Sequence, residues 1–215
     1  MKRLAIDFPQ KDFFVSTFGP AVYVVGGTVR DRVLYGRAAV DQDVDLLVTG
    51  MGCDEIEARL RRHGKTDTVG KSFAVIKFTR QGRTFDIAVP RRDRRKQGDG
   101  RGHRDIEVQW GPEVTLEEDL GRRDFTCNSI AVRLADGRVV DPHRGLQAIA
   151  ARRIVMTSPD SFSDDPLRVL RAARFASRHA FAVEKAIYAK ARKVPLSGLS
   201  AERVADELVR LLLES

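Results

Sequence analysis

The chain is poor in cysteine: among 215 residues only Cys53 and Cys127 carry a thiol, and no Cys-x-x-Cys pair exists. That excludes a disulfide-stapled scaffold and leaves two reduced, buried thiols of a cytoplasmic protein as the expectation. The histidines (His63, His103, His143, His179) fall at no His-x-His or His-x-x-x-His spacing, which argues against a zinc site. No apolar run is long enough to cross a bilayer, and the opening "MKRLAIDFPQ" has no sustained apolar stretch of the signal-peptide kind. Neither membrane insertion nor secretion is expected. Internal repeats and low-complexity linkers are missing too.

Charge, by contrast, is plentiful. Lys and Arg number 38 against 30 Asp and Glu, a formal net charge of +8, while a hydrophobic share of 42% excludes disorder. The excess suits a phosphate-rich partner, nucleotide or nucleic acid, although a high-GC genome also enriches arginine. The length fits one large domain or a domain with a helical appendage.

The segment "YVVGGTVRDRVLYGRAAVDQDVDLLV" (23–48) concentrates the unusual features. A short apolar strand, 21–25, meets a Gly26-Gly27 turn and a helix over 29–35. Asp43 to Thr49 then alternates and predicts a strand with Asp43 and Asp45 on one face and Val44, Leu46 and Val48 on the other. Neighbouring carboxylates repel and are costly to crowd unless a cation sits among them. The pattern Asp-apolar-Asp-apolar selects Asp43 and Asp45, with Asp41 in reserve because Gln42 would stand where the strand is buried. Farther on, 53–63 reads as a helix, and "SFAVIKF" and "RTFDIAV" as two strands joined by "TRQG". In the second strand Phe85, Ile87 and Val89 share a face, which turns Asp86 the other way and makes it the best third carboxylate. The basic stretch "RRDRRKQGDGRGHR" (91–104) reads as a mobile loop.

From Ser161 the pattern becomes helical. Ser163 is the expected N-cap of a helix holding Pro166 in its first turn, with Leu167, Leu170 and Ala173 as the apolar stripe. Asp165, Arg168 and Arg171 then form a polar row three apart. The last helix, "SAERVADELVRLLLES", is expected to bury Val204, Leu208, Leu211 and Leu212.

Taken singly, a Gly-Gly turn or an Asp-x-Asp strand is commonplace. Together they resemble the nucleotidyltransferases of the polymerase β type, and six segments in order sharpen the likeness: "VVGGTVRD", "DVDLLV", "EEDLGRRDFTCNSIA", "DPHRGLQ", "DDPLRVLRAARFA" and "ERVADE". Over most of its length the chain resembles the class II tRNA nucleotidyltransferases (CCA-adding enzymes) and the related bacterial poly(A) polymerases. The resemblance implies an α+β fold: a mixed-sheet catalytic head, residues 1–150, followed by an all-α neck, 151–215. It implies transfer of C and/or A from CTP or ATP to a tRNA 3′ end, with Mg²⁺ held by Asp43 and Asp45 and assisted by Asp86. Gly26, Gly27 and Arg30 would position the triphosphate. Arg122, Arg123, Asp124 and Asn128 would contact ribose and phosphate, and Asp165 and Arg168 would read the base, with Arg171 and Arg174 beside them. Glu202, Arg203 and Glu207 would brace the neck, and the loop 91–104 would move during the reaction.

Some positions depart from the pattern. The spacing from Gly36 to Asp43 is long, Asp164 stands where the family has Glu, and Ala148 replaces an aspartate, which is expected to weaken local capping. The chain stops at Ser215, just past the neck, where family members continue into a body and tail that grip tRNA. A partner chain or such a missing part would supply that grip. Rival readings are a poly(A) polymerase on general RNA, a catalytically silent RNA-binding module, and a nucleotidyltransferase of small molecules. The last has no need of the "RRDF", "DDPLR" and "ERVADE" set.

Overall fold

A computed structural model describes residues 2–36, 44–68, 74–95 and 106–214. Before the first strand, α1 (Lys11–Phe18) forms an aromatic knot that the alternation patterns gave no hint of. Phe14 sits edge-on to Phe85 at 4.9 Å between ring centres, and Phe13 stacks on Phe78 at 5.7 Å. Strand β1 (Val22–Val25) then leads through Gly26 into α2 (Gly27–Tyr35). Next come β2 (Asp45–Val48), α3 (Cys53–Leu60), β3 (Lys65–Thr68), β4 (Val75–Arg80) and β5 (Arg83–Ala88).

These strands join β8 (Ala131–Arg133) and β9 (Val139–Val140) in a seven-stranded sheet of order β3-β4-β5-β2-β1-β8-β9. The sheet is mixed: β2 runs antiparallel to β1 and parallel to β5. The expected alternation is realised. Val44, Leu46, Val48, Phe85, Ile87 and Val89 are buried in one continuous core with Phe14, Val29, Ile56 and Leu60. On the opposite face Leu47 and Val25 pack under Leu116 and Leu120 of α4 (Leu116–Gly121). Asp45 therefore projects from a sheet face whose next position along the strand is already covered by a helix.

Three expectations need correction. The basic stretch from 91 is not all loop: β6 (Arg91–Arg95) pairs antiparallel with β7 (Ile106–Trp110), and only 96–105 lies outside the described residues. Ser163 is not an N-cap. The residue before a proline is driven out of the helical region, and Asp165 is extended (φ −144°, ψ 102°). The segment accordingly breaks into α6 (Ser161–Asp164) and α7 (Arg168–His179), after α5 (Gly145–Ala150) and β10 (Arg153–Ile154). On α7 the buried positions are Ala172, Arg174, Phe175 and His179, whereas Ala173 is exposed.

The third correction concerns α9 (Ala201–Glu214), which follows β11 (Ala182–Val183) and α8 (Lys185–Ala191). It packs chiefly on α7, and one main neighbour covers only one side of an amphipathic stripe. Glu207 is its one fully buried residue. Leu208 and Leu212 are 42% and 79% exposed rather than buried, and Val204 and Leu211 are half-buried.

The "DPHRGLQ" segment has a local physical logic. Asp141 accepts the amides of Gly145 (2.6 Å) and Leu146 (2.9 Å) and so closes the start of α5. A Cβ at Gly145 would lie 2.1 Å from the Thr126 carbonyl, which is why glycine stands there. Capping of α5 thus rests on Asp141, and Ala148 is simply buried within the helix. Cys127 is buried and Cys53 half-buried, both free; burial pushes the Cys127 thiol up to about 12. Among the described residues no helix is long and apolar enough to cross a membrane.

Candidate active site

The Gly26-Gly27 turn, the start of β2, the segment after α4 and the face of α7 line an open cavity of about 450 Å³. Gly26 has φ +71°, a backbone conformation that favours glycine. A Cβ there would stand close, 3.2 Å from Arg123 Nη1, and in ordinary contact, 3.4 Å from Asp45 Oδ2. Asp45 is exposed at the start of β2 and lies in register with Asp86 on the parallel neighbour β5. Paired residues of parallel strands project to the same face, so both carboxylates leave the sheet on one side. Asp86 does not line the cavity; its carboxylate pairs with Lys77 at 2.9 Å. Asp43 and Asp41, with the long spacing before them, lie outside the described residues.

Behind the turn runs a buried polar chain. Arg30 forks onto Asp31 (2.8 and 3.0 Å) and donates its third arm to Asn128 Oδ1 at 2.7 Å. Asn128 donates to Asp124 Oδ1 at 3.0 Å, and Asp124 Oδ2 accepts the Arg171 fork at 2.9 and 2.7 Å. Burial alone would raise the Asp124 carboxyl, but Arg171 and Asn128 outweigh it and hold it below the usual range. Sequence-distant segments are thus locked into one charged lattice whose every buried member has a partner.

The helical wall continues the lattice. Arg174, 4% exposed, donates to Glu207 at 2.5 Å and to Glu214 at 2.8 Å, and Arg178 reaches the same Glu214 at 2.9 Å. The guanidinium carbons of Arg174, Arg30 and Arg171 lie 4.4, 5.1 and 5.2 Å from the Phe175 ring centre, a cation–π seat at the cavity floor. Glu207 therefore braces α7 through Arg174. Arg203 reaches Asp165 Oδ2 at 2.9 Å, and Arg168 donates to Ser161 Oγ at 2.9 Å and to the Arg122 carbonyl at 2.7 Å. Glu202 is exposed.

Nearly every residue singled out in the sequence converges here. Gly26, Gly27, Arg30 and Asp45 line the sheet side. Arg122, Arg123, Asp124 and Asn128 line one flank, and Asp165, Arg168, Arg171 and Arg174 the helical wall. Sequence reasoning missed Arg178, Arg210 and Glu214. The i, i+4 step from Arg174 to Arg178 was a legible signal; that Glu214 would fold back onto both was not. Nine arginines line the cavity against four carboxylates, Asp45, Asp124, Asp165 and Glu214, an excess of positive charge that suits an anionic ligand. Among the described residues no group of three or more His, Cys, Asp or Glu forms a metal-holding cluster. Asp45, on the cavity side, carries hard oxygen donors of the kind Mg²⁺ prefers, whereas Asp86 is paired with Lys77.

Comparison with known proteins agrees with this geometry. The family described as "Poly A polymerase head domain" matches residues 22–155. A multifunctional CCA protein of Pseudomonas aeruginosa is 41% identical over 200 residues, which cover 90% of this chain and 45% of that protein. The Bacillus stearothermophilus CCA-adding enzyme in complex with CTP superposes with a TM-score of 0.75 at 28% identity, over 95% of this chain and 49% of that one. A Thermotoga maritima CCA-adding enzyme complexed with tRNA gives 0.73 at 27% identity, over 95% and 47%. The chain spans about half the length of the relatives it matches. With its seven-stranded head, its cavity of arginines and its family match all in agreement, this chain belongs to the Poly A polymerase head-domain family.

Proposed function

We propose that the protein is a metal-dependent RNA nucleotidyltransferase that adds C and/or A from CTP or ATP to the 3′ end of tRNA and releases pyrophosphate. The observation that carries this reading is the single cavity in which Asp45, the glycine turn and the arginine lattice meet. Its charge and size suit a nucleoside triphosphate. Gly26, Gly27 and Arg30 receive the triphosphate together with Arg122 and Arg123, whose planar forks match phosphate oxygens. Asp43 and Asp45 would hold Mg²⁺, with Asp86 in register beside Asp45 on the neighbouring strand. The ion would supply neutralisation of the negative charge on the triphosphate.

In the transfer the RNA 3′ oxygen forms a bond to the α-phosphorus, its proton passes to solvent water, and the bond to the leaving pyrophosphate breaks. Asp165 and Arg168 read the base: CTP and ATP share an exocyclic amine beside a ring nitrogen, a donor–acceptor edge that one Asp–Arg pair accepts. Both side chains already hold protein partners, Arg203 and Ser161, so base reading exchanges those bonds for new ones. Residues 1–150 act as the catalytic head and 151–215 as the base-reading neck in this scheme. A cytoplasmic setting is part of it, in keeping with two free thiols. Further tRNA grip would come from a partner chain or a body of the kind the longer relatives have room for.

Labelled incorporation with CTP alone, ATP alone and both tests this, on tRNA ending at the discriminator base and on unstructured RNA. A stop after C-C-A, or after the C or A step alone, on tRNA is the expected outcome. A long A tail on any RNA would establish the second reading, a poly(A) polymerase, which the family match favours equally. No incorporation on either RNA, with RNA binding intact, would identify a silent binding module. Asp43→Ala and Asp45→Ala should each cut transfer by about 10³-fold, and full activity in both would refute the assignment.

A further inference from the structure

Asp119 is fully buried yet carries a carboxylate, and it does not line the cavity. It lies on α4 one turn before the arginine pair, so steps of three and four residues bring both guanidinium groups to it. Its Oδ1 accepts Arg122 Nε at 3.0 Å and Nη2 at 2.7 Å; its Oδ2 accepts Arg123 Nε at 3.3 Å and Nη2 at 3.0 Å. The same Oδ1 accepts the backbone amide of Arg91, the first residue of β6, at 3.2 Å, and Arg122 Nε also donates to the Arg91 carbonyl. Next to it, Glu118 forms a reciprocal capping box with Thr115 and binds Arg92 at 2.8 Å. The base of the β6–β7 ribbon is thereby pinned to α4 at two adjacent acids.

Two guanidinium groups on one helical turn repel each other and would swing into water. An anion between them removes that repulsion and fixes both planes. Burial would raise the Asp119 carboxyl, but Arg122 and Arg123 outweigh it and hold it below the usual range, so the anion persists at neutral pH. With Nε and Nη2 of each arginine engaged, Arg123 Nη1 is turned to the glycine turn, 3.2 Å from where a Gly26 Cβ would lie.

We propose that Asp119 is a positioning residue that holds Arg122 and Arg123 as one fixed, phosphate-facing pair and ties that pair to the first strand of the ribbon. The proposal rests on the reading that this cavity takes a triphosphate. Calorimetric titration of the full chain with CTP, ATP and inorganic tripolyphosphate tests it, comparing wild type with Asp119→Asn and Asp119→Glu. Asp119→Asn should weaken all three ligands by the same factor, about tenfold, because the loss lies in the shared phosphates. Asp119→Glu keeps the anion but displaces it by a methylene, and should weaken all three by about threefold. In steady state the KM for nucleotide should rise while the KM for RNA stays unchanged. If Asp119→Asn does not fold, Asp119→Glu decides. Unchanged affinities in a folded variant, even with a lower melting temperature, would overturn the positioning role. Failure of the wild-type chain to bind tripolyphosphate would overturn both this role and the triphosphate reading.

Discussion

On the sheet side of the cavity Asp45 is exposed, and Asp86 is 45% exposed at its side chain beside a single lysine. On the helical side Asp124, Arg174 and Glu207 are each less than a tenth exposed and tied to one another through Arg171 and Glu214. The same residue types thus serve two purposes. In the proposed reading, the carboxylates that receive ions are the exposed ones of the sheet side. The groups that give the nucleotide seat its shape are buried and mutually neutralised, at a desolvation cost that complete pairing offsets.

Substitution can break this contrast, and the largest effect falls on the open side. Asp45→Ala should reduce labelled nucleotide incorporation by about 10³-fold, because the interaction it serves is stronger in the transition state. Its melting temperature should hardly change, since an exposed strand-edge carboxylate carries little of the core. A variant with normal turnover would erase the distinction between the two sides.

On the braced side the order of effects reverses. Glu207→Ala leaves Arg174 buried with Glu214 as its remaining carboxylate partner, and should cost about 3 kcal/mol in chemical denaturation. Incorporation by the folded fraction should fall less than for Asp45→Ala. Gly26→Ala lies on the seam of the two sides. The backbone angle at φ +71° makes a β-carbon there cost about 2 kcal/mol, and contact with Arg123 and Asp45 should raise the KM for nucleotide. A neutral Gly26→Ala in both assays would show that the turn is looser than its geometry.

The same contrast explains what could be read in the sequence. Strand alternation is a local signal, so the face shared by Phe85, Ile87 and Val89 and the opposite placement of Asp86 were legible. The convergence of Arg30, Asn128, Asp124 and Arg171 was legible only because the segments that carry them occur in a fixed order; no spacing rule links residues so far apart in the chain. What escaped is what depends on tertiary partners. The phenylalanines of α1 follow no clean period, and their packing against Phe78 and Phe85 appears only when the sheet is assembled. The basic ribbon masqueraded as loop because charged strands that pair only with each other need no apolar face. Pro166 was assigned to a first turn when its restriction on Asp165 ends one helix and starts another. The leucines of α9 have the periodicity of a buried stripe, yet packing chiefly on α7 leaves Leu212 and Leu213 about four-fifths exposed.

The smallest expected effect concerns the join between the two sides. His179 on α7 shares a hydrogen bond with Tyr35 of α2 (Nδ1 to Oη, 2.9 Å) and stacks on Phe175. Burial, reinforced by nearby Arg30, depresses its imidazole to about 4, and Asp31 only partly opposes this. The folded protein therefore keeps His179 neutral at a pH where the unfolded chain, with an ordinary value of about 6.5, has already bound a proton. The sign follows: this contribution is fully present above about pH 6.5, declines as the pH falls, and is lost by the time it passes about 4. Thermal melts from pH 7.5 to 4.5 should show wild type losing stability across that window faster than His179→Phe, which keeps the ring stack and cannot titrate. Because the imidazole touches both α2 and α7, the difference between the two slopes measures how firmly the open and braced sides are held together. Parallel slopes would mean that protonated His179 is accommodated without strain, and that the two sides are joined through other bonds, the Arg30–Asn128–Asp124–Arg171 chain and the Arg168–Arg122 contact among them.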